Sequence, residues 1–303
     1  MPKRTKADDG PGGLVIVDKP SGWTSHDVVG RMRRLARTRR VGHAGTLDPM
    51  ATGVLVIGVE KTTRLLGHLA LTRKTYDATI RLGQSTVTDD AEGEVTATAD
   101  ASNVSDEQLA GAIRPLTGDI LQRPSSVSAI KVDGVRSYKR VRDGEEFELA
   151  VRPVTVHRFE VTGIRREGGF VDVDATVECS SGTYIRALAR DLGAALGVGG
   201  HLTMLRRTAV GPYGLDQAHS LEELTEAFEA ERPLPILPLD DAARAAFPAR
   251  VITAEEAALV ANGGFLAASG TGDEPVAVFG PDGRFLALYE DAGGKAKPVA
   301  VFG

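Results

Sequence analysis

Arg39-Arg40-Val41-Gly42-His43-Ala44-Gly45-Thr46-Leu47-Asp48-Pro49-Met50-Ala51-Thr52-Gly53-Val54-Leu55 sets one carboxylate, Asp48, in a loop with three glycines and a proline, just before the apolar run Val54-Leu55-Val56-Ile57. Glycine allows positive φ or close backbone approach, and proline fixes φ after the acid. The apolar run has the length and composition of a buried strand, which gives the loop a stiff base. The residues alone support two readings. Asp48 is either an ordinary turn or cap residue, or a carboxylate held in one place with room in front of it for a ligand.

Around this loop the chain is long enough for a large domain and a small one, with 303 residues, 42% hydrophobic and 25% charged. No apolar run approaches the roughly 18–20 residues needed to cross a bilayer. The charged start, residues 1–12, lacks an apolar core and reads as a disordered tail, not a signal peptide. Cys179 is the single cysteine, which excludes an internal disulfide and a cysteine-built zinc site. A cytoplasmic protein is expected. The net charge of −5 hides an asymmetry. Residues 1–75 carry 14 Lys+Arg against 6 Asp+Glu, a balance of +8, and residues 220–303 carry 6 against 14, a balance of −8. The basic first quarter can present a phosphate-binding face or simply a solvated one.

Upstream, Leu14-Val15-Ile16-Val17 predicts a strand, and Ser25 a helix N-cap for about His26 to Arg37, whose Val28, Val29, Met32, Leu35 and Ala36 share a face. Downstream, Tyr76–Leu82 and Val95–Thr98 predict strands around a polar loop, Gln84–Gly93. Ser105 with Gln108 is a capping box. Val171, Val173, Ala175, Val177 and Cys179 alternate with polar residues as a half-buried strand does, and a helix follows with Ile185, Leu188, Leu192 and Leu196 on one face. Pro233–Pro238, stiffened by three prolines, predicts a domain boundary. Beyond it come a capping box at Thr253 and short strands at Val276–Phe279, Phe285–Tyr289 and Val299–Phe302.

The Arg39–Leu55 stretch resembles the active-site loop of the TruB-type tRNA pseudouridine-55 synthases over some fifteen contiguous positions, far beyond a short motif. Four further segments resemble that family in order and spacing: Asp18–Ser25, Lys74-Thr75-Tyr76, Ser181–Arg186 and Leu205-Arg206-Arg207. The resemblance covers about residues 12–215 well and 248–303 more loosely. Arg123–Lys131 departs from it, lacking the second proline and tyrosine often found there.

The resemblance implies isomerisation of one T-loop uridine of tRNA, position 55, to its C-glycoside, with no cofactor and no metal. Asp48 would be the nucleophile or charge stabiliser, attacking C6 or C1′ or supporting a glycal-like route; the sequence leaves the three open. Arg186 matches the arginine that pairs with this aspartate, since an opposite charge within about 4–6 Å keeps a carboxylate ionised in a dry site. Tyr76 would stack on the extruded uracil and act in the later proton transfer. Tyr184 and Leu205 would wall the pocket. His43, with no second ligand at metal spacing, would fill the place the target base leaves or touch the opened loop. Arg206 and Arg207, with the arginines of residues 31–40, would contact phosphates.

The expected fold class is α+β: a mixed, largely antiparallel bent sheet with flanking helices (the pseudouridine synthase fold) over residues 13–235, with an insertion-like region at 84–150. A small PUA-like RNA-binding module follows at 248–303. The expected partner is the T-arm and elbow of tRNA, met by a monomer that needs no protein partner, guide RNA or membrane. A guide-RNA-dependent synthase and a non-enzymatic RNA-binding protein are the rival readings.

Overall fold

The computed structural model describes residues 12–125, 149–272 and 274–302, together with the backbone of two short strands, Lys131–Val132 and Val135–Arg136. The expected tail and the middle of the 84–150 region lie outside the described residues. The described chain divides into two compact units, one built from Asp48–Gly53 and Leu71–Val210, the other from residues through Leu47, Val54–Ala70 and the chain from Gly211 onward.

In the first unit the sheet order is Gly200–Val210, Lys74–Leu82, Phe170–Cys179, Arg152–Glu167, Gly118–Gln122, all antiparallel. Thr52 and Gly53 add a parallel pairing to Arg206 and Arg207. The alternation of Val171 to Cys179 is that of a strand buried on one face, as expected. Lys74–Leu82 begins two residues earlier than predicted and is central, with Tyr76 opposite Val177 on one side and Arg207 on the other. Its outward face is a polar ladder: Thr79 donates to Asp174 at 2.7 Å, and Arg81 grips Asp172 with two bonds of 2.8 and 2.7 Å. Register shifts between Leu202 and Met204, Arg207 and Ala209, Val156 and Arg158, and Val161 and Gly163 are bulges that bend the strands.

The helix Ile185–Ala195 packs on Gly200–Val210 at a distance only glycine permits, since a Cβ on Gly193 would stand 2.2 Å from the Gly199 carbonyl carbon. Its core face carries Ile185, Leu188, Ala189 and Leu192, all buried.

In the second unit Gly13–Lys19 pairs in parallel with His219–Ser220, and Val41–Ala44 pairs antiparallel with the strand Thr52–Val59. The helix Ser25–Leu35 buries Val28, Val29, Met32 and Leu35, as its periodicity predicts, but its cap is Thr24 and not Ser25. Thr24 forms a reciprocal capping box with Asp27. Ser25 instead accepts from the Leu47 amide at 2.9 Å and donates to the Leu47 carbonyl at 3.2 Å, fixing the residue before Asp48. The proline-rich segment contributes a two-residue strand, Leu237–Pro238, paired with Gly13 and Leu14.

The C-terminal part of this unit is a five-stranded sheet in the order Ala249–Val251, Val276–Phe279, Phe285–Ala292, Lys295–Val301, Leu266–Ala267, with the helix Ala254–Ala261 capped by Thr253 as predicted. The last long strand starts at Lys295, earlier than the predicted Val299. Ile252, Val260, Leu266, Val278, Ala287, Tyr289 and Ala296 form its core.

Candidate active site

Asp48 opens a tight turn closed by the Ala51 amide, which donates to the Asp48 carbonyl at 3.1 Å. The turn ends at Thr52 and Gly53, whose parallel pairing with Arg206 and Arg207 ties the loop to the sheet. Arg206 also donates to the Thr52 hydroxyl at 3.3 Å. The loop carrying the acid is therefore held at its end by backbone and side chain.

Arg186 approaches from the first turn of the helix Ile185–Ala195. Its Nε lies 3.0 Å from Asp48 Oδ2 and its Nη2 3.2 Å from Asp48 Oδ1, a two-pronged contact that fixes the carboxylate plane. The arginine is 4% exposed, whereas Asp48 keeps 36% of its side chain open, so the acid is gripped from behind and accessible in front. The remaining prong, Nη1, donates to the Thr88 carbonyl at 2.8 Å. Asp90, itself buried, sets Oδ2 3.5 Å from Nε. One buried cation thus stands against two carboxylates.

Asp90 is the functional residue that sequence reasoning missed. It sits in the polar loop Gln84–Gly93, bonded to the Thr88 hydroxyl and the Glu92 amide, and only the adjacent acids Asp89-Asp90 in that loop hinted at it.

The helix start has no side-chain cap of its own at Tyr184. Gln122 substitutes: Tyr184 N donates to its Oε1 at 2.8 Å, and its Nε2 donates to the Tyr184 carbonyl at 3.0 Å. The Tyr184 ring is half-buried, with the Arg152 guanidinium 5.1 Å from its centroid.

Tyr76 is 7% exposed on the inner face of the central strand. Burial pushes its phenol pKa up, opposed by the neighbouring Arg207, which is within hydrogen-bonding reach of the hydroxyl. Asp48 acts on the same hydroxyl, which puts the aromatic ring and the acid in one neighbourhood. Leu205, buried and opposite Ala78, shares that face.

Arg207, expected at a phosphate, is 1% exposed and lies beside Tyr76; side chains alternate along a strand, and Arg206, half-buried, takes the other face. Lys74 lies close to Arg207 and Cys179; burial, with the Arg207 charge second, lowers its pKa to about 8. His43 lies half-buried on Val41–Ala44 opposite Ile57, in the other unit. Thus the structure brings Asp48, Arg186, Tyr76, Tyr184, Leu205, Arg206 and Arg207 into one unit. Among the described residues, no group of three or more His, Cys, Asp or Glu side chains is placed to hold a metal, and no helix is long and apolar enough to cross a membrane.

Comparison with known proteins adds three matches to family models. Residues 33–185 match the TruB family pseudouridylate synthase N-terminal domain, 186–243 the tRNA pseudouridylate synthase B C-terminal domain, and 247–303 the tRNA pseudouridine synthase II C-terminal domain. The chain is 61% identical to the tRNA pseudouridine synthase B of Arthrobacter sp. (strain FB24), over 96% of each chain. It is also 61% identical to the synthase of that name from Streptomyces coelicolor, over 97% of this chain and 98% of the relative. Among solved structures it is similar to a Cbf5-Nop10-Gar1 complex, with 27% identity, TM-score 0.72, and coverage of 96% of this chain and 85% of that one. An H/ACA RNP bound to a substrate RNA containing 2′-deoxyuridine gives 26% identity, TM-score 0.71 and the same coverage.

Proposed function

The chain belongs to the TruB family of pseudouridylate synthases, and we propose that it converts the uridine at position 55 in the T-loop of tRNA to pseudouridine. The supporting observation is Asp48, gripped through both oxygens by buried Arg186 and open on its other side, in reach of the Tyr76 hydroxyl's surroundings.

The reaction exchanges one glycosidic bond for another. The N1–C1′ bond breaks, the uracil turns, C5 bonds to C1′, and the proton displaced from C5 is balanced by one gained at N1. Nothing is oxidised or reduced, so the chemistry needs positioning and charge and no redox partner. Asp48 acts at C6 or C1′, or stabilises charge along a glycal route. Arg186 keeps the acid ionised and oriented, and Asp90 with the Thr88 carbonyl keeps Arg186 in place. The target base leaves its stack, at a cost of a few kcal/mol, and stacking on Tyr76 returns roughly 1–3 kcal/mol of that.

Residues 13–235 carry the chemistry, and the PUA-like module at 248–303 grips the acceptor side of the tRNA elbow. The exposed arginines Arg33, Arg34, Arg39 and Arg40 position the RNA through its phosphates. The protein acts as a monomer in the cytoplasm. The solved relatives are assemblies of several proteins, one with a substrate RNA, so the decisive test uses the protein alone. Purified chain and unmodified tRNA transcript, with no guide or added protein, should give a carbodiimide-dependent reverse-transcription stop at that uridine. Asp48→Asn should abolish the stop and leave tRNA binding intact. A stop retained by Asp48→Asn, or none with the wild-type protein, would refute the proposal.

A further inference from the structure

Arg186 and Arg190 stand one helical turn apart on Ile185–Ala195, on the same face. They meet consecutive acids. Arg186 Nε faces Asp90 Oδ2 at 3.5 Å, and Arg190 Nη1 faces Asp89 Oδ2 at 3.3 Å. Neighbouring side chains on an extended backbone point to opposite sides, so a regular strand could not offer both acids to one helix. Asp89 has φ +59°, the left-handed region an L-residue seldom adopts. Such a bend persists only where its surroundings hold it.

The holding contacts are present. The Asp89 carbonyl accepts from the Leu202 amide at 3.0 Å, and its carboxylate, nearly buried, is met by Arg190. Arg190 is itself anchored, with Nε donating to Asp191 at 2.9 Å and Nη2 to the Arg123 carbonyl at 2.8 Å. Two groups through which this loop touches Arg186, the Thr88 carbonyl and the Asp90 carboxylate, flank Asp89 directly. A shift of Asp89 therefore moves both.

We infer that Arg190 is a positioning residue for the isomerisation: by holding the left-handed bend at Asp89, it keeps Thr88 and Asp90 against Arg186 and so fixes the plane in which Arg186 presents Asp48. The inference rests on the Asp48–Arg186 reading of the site. Arg190 touches no reacting atom in this scheme.

The test uses the full-length chain carrying Arg190→Met, Arg190→Lys, Asp89→Asn, Asp90→Asn or Arg190→Met with Asp90→Asn. Single-turnover rate, tRNA Kd and thermal unfolding are measured for each. Arg190→Met and Asp89→Asn should each lower the rate about tenfold or more while Kd stays within about twofold, as expected when geometry at the reacting centre is lost and binding is kept. Arg190→Lys keeps the charge but spans fewer partners, and should fall between Met and wild type. In the double variant the combined loss should be clearly smaller than the product of the two single losses, because one of the two contacts through which Arg190 acts is already gone and only the Thr88 carbonyl remains. Independent, multiplying losses would overturn the inference, as would a wild-type rate in Arg190→Met. Should Arg190→Met fail to fold, Arg190→Lys decides, and a wild-type rate there also overturns it. A wild-type enzyme that makes pseudouridine while Arg190 variants match it sinks this inference alone; a wild type that makes none sinks the functional reading too.

Discussion

Gly53 and Arg207 are paired so closely that a Cβ on the glycine would stand 2.2 Å from the arginine's carbonyl oxygen, and Gly53 has φ +98°. Both facts require glycine at this position. The contact joins the end of the Asp48 turn to the strand whose side chains flank Tyr76.

Gly53→Ala should therefore destabilise the protein by about 2–4 kcal/mol, from left-handed strain plus a backbone clash. Denaturant unfolding measures this directly. Turnover should fall further than the lost folded fraction explains, since the turn that carries Asp48 must move. An alanine variant of wild-type stability and rate would contradict the close approach.

Arg186→Lys tests the fork. Lysine keeps the charge but cannot span both Asp48 oxygens and the Thr88 carbonyl together. The single-turnover rate should fall about a hundredfold, the scale of losing a preorganised electrostatic contact, with tRNA affinity within about threefold. Equal losses of rate and affinity would count against the pairing as the source of the effect.

Lys74 gives the stability a pH signature. Its pKa is about 8 in the folded chain, lowered from 10.5, by burial first and the Arg207 charge second. Below pH 8 both states hold the proton and the full cost of burying the charge is present. Between about 8 and 10.5 the unfolded chain holds a proton that the folded chain has lost, so this group makes stability rise with pH. Relative to wild type, Lys74→Met should thus lose ground from pH 8 to 10, by an amount on the order of 1–3 kcal/mol. A pH-independent difference between the two would show that Lys74 is not buried as described.

Cys179 is 1% exposed and its thiol is pushed up to about 11, mainly by burial. Only the thiolate reacts readily, so native protein at pH 8 should resist N-ethylmaleimide and should label fully once unfolded in denaturant. Rapid labelling under native conditions would mean that the Phe170–Cys179 strand opens locally.

Much of this arrangement can be read in the chain before any coordinates. The Asp48 loop, Lys74-Thr75-Tyr76 and Ser181–Arg186 are contiguous, so their meaning survives without tertiary information. The capping boxes at Ser105 and Thr253 lie where their local patterns put them. The failures are non-local or ambiguous. Ser25 and Thr24 are both competent caps, and the choice falls to Thr24 because the Ser25 hydroxyl is taken by Leu47, twenty-two residues on. Arg206-Arg207 looks like one basic patch until strand alternation sends the two to opposite faces. Asp90 carries only the faint local mark of its acidic neighbour Asp89; its place comes from an arginine on a distant helix.

The Gln122 latch on Tyr184 has a consequence for how the enzyme comes into being. The first turn that carries Arg186 is fastened by an amide sixty-two residues upstream, and its grip on Asp48 closes a separation of 138. Neither tie can form until the chain has been made through Tyr184 and Arg186. A polypeptide that stops short of Tyr184 therefore lacks both fastenings, however well its earlier strands are formed.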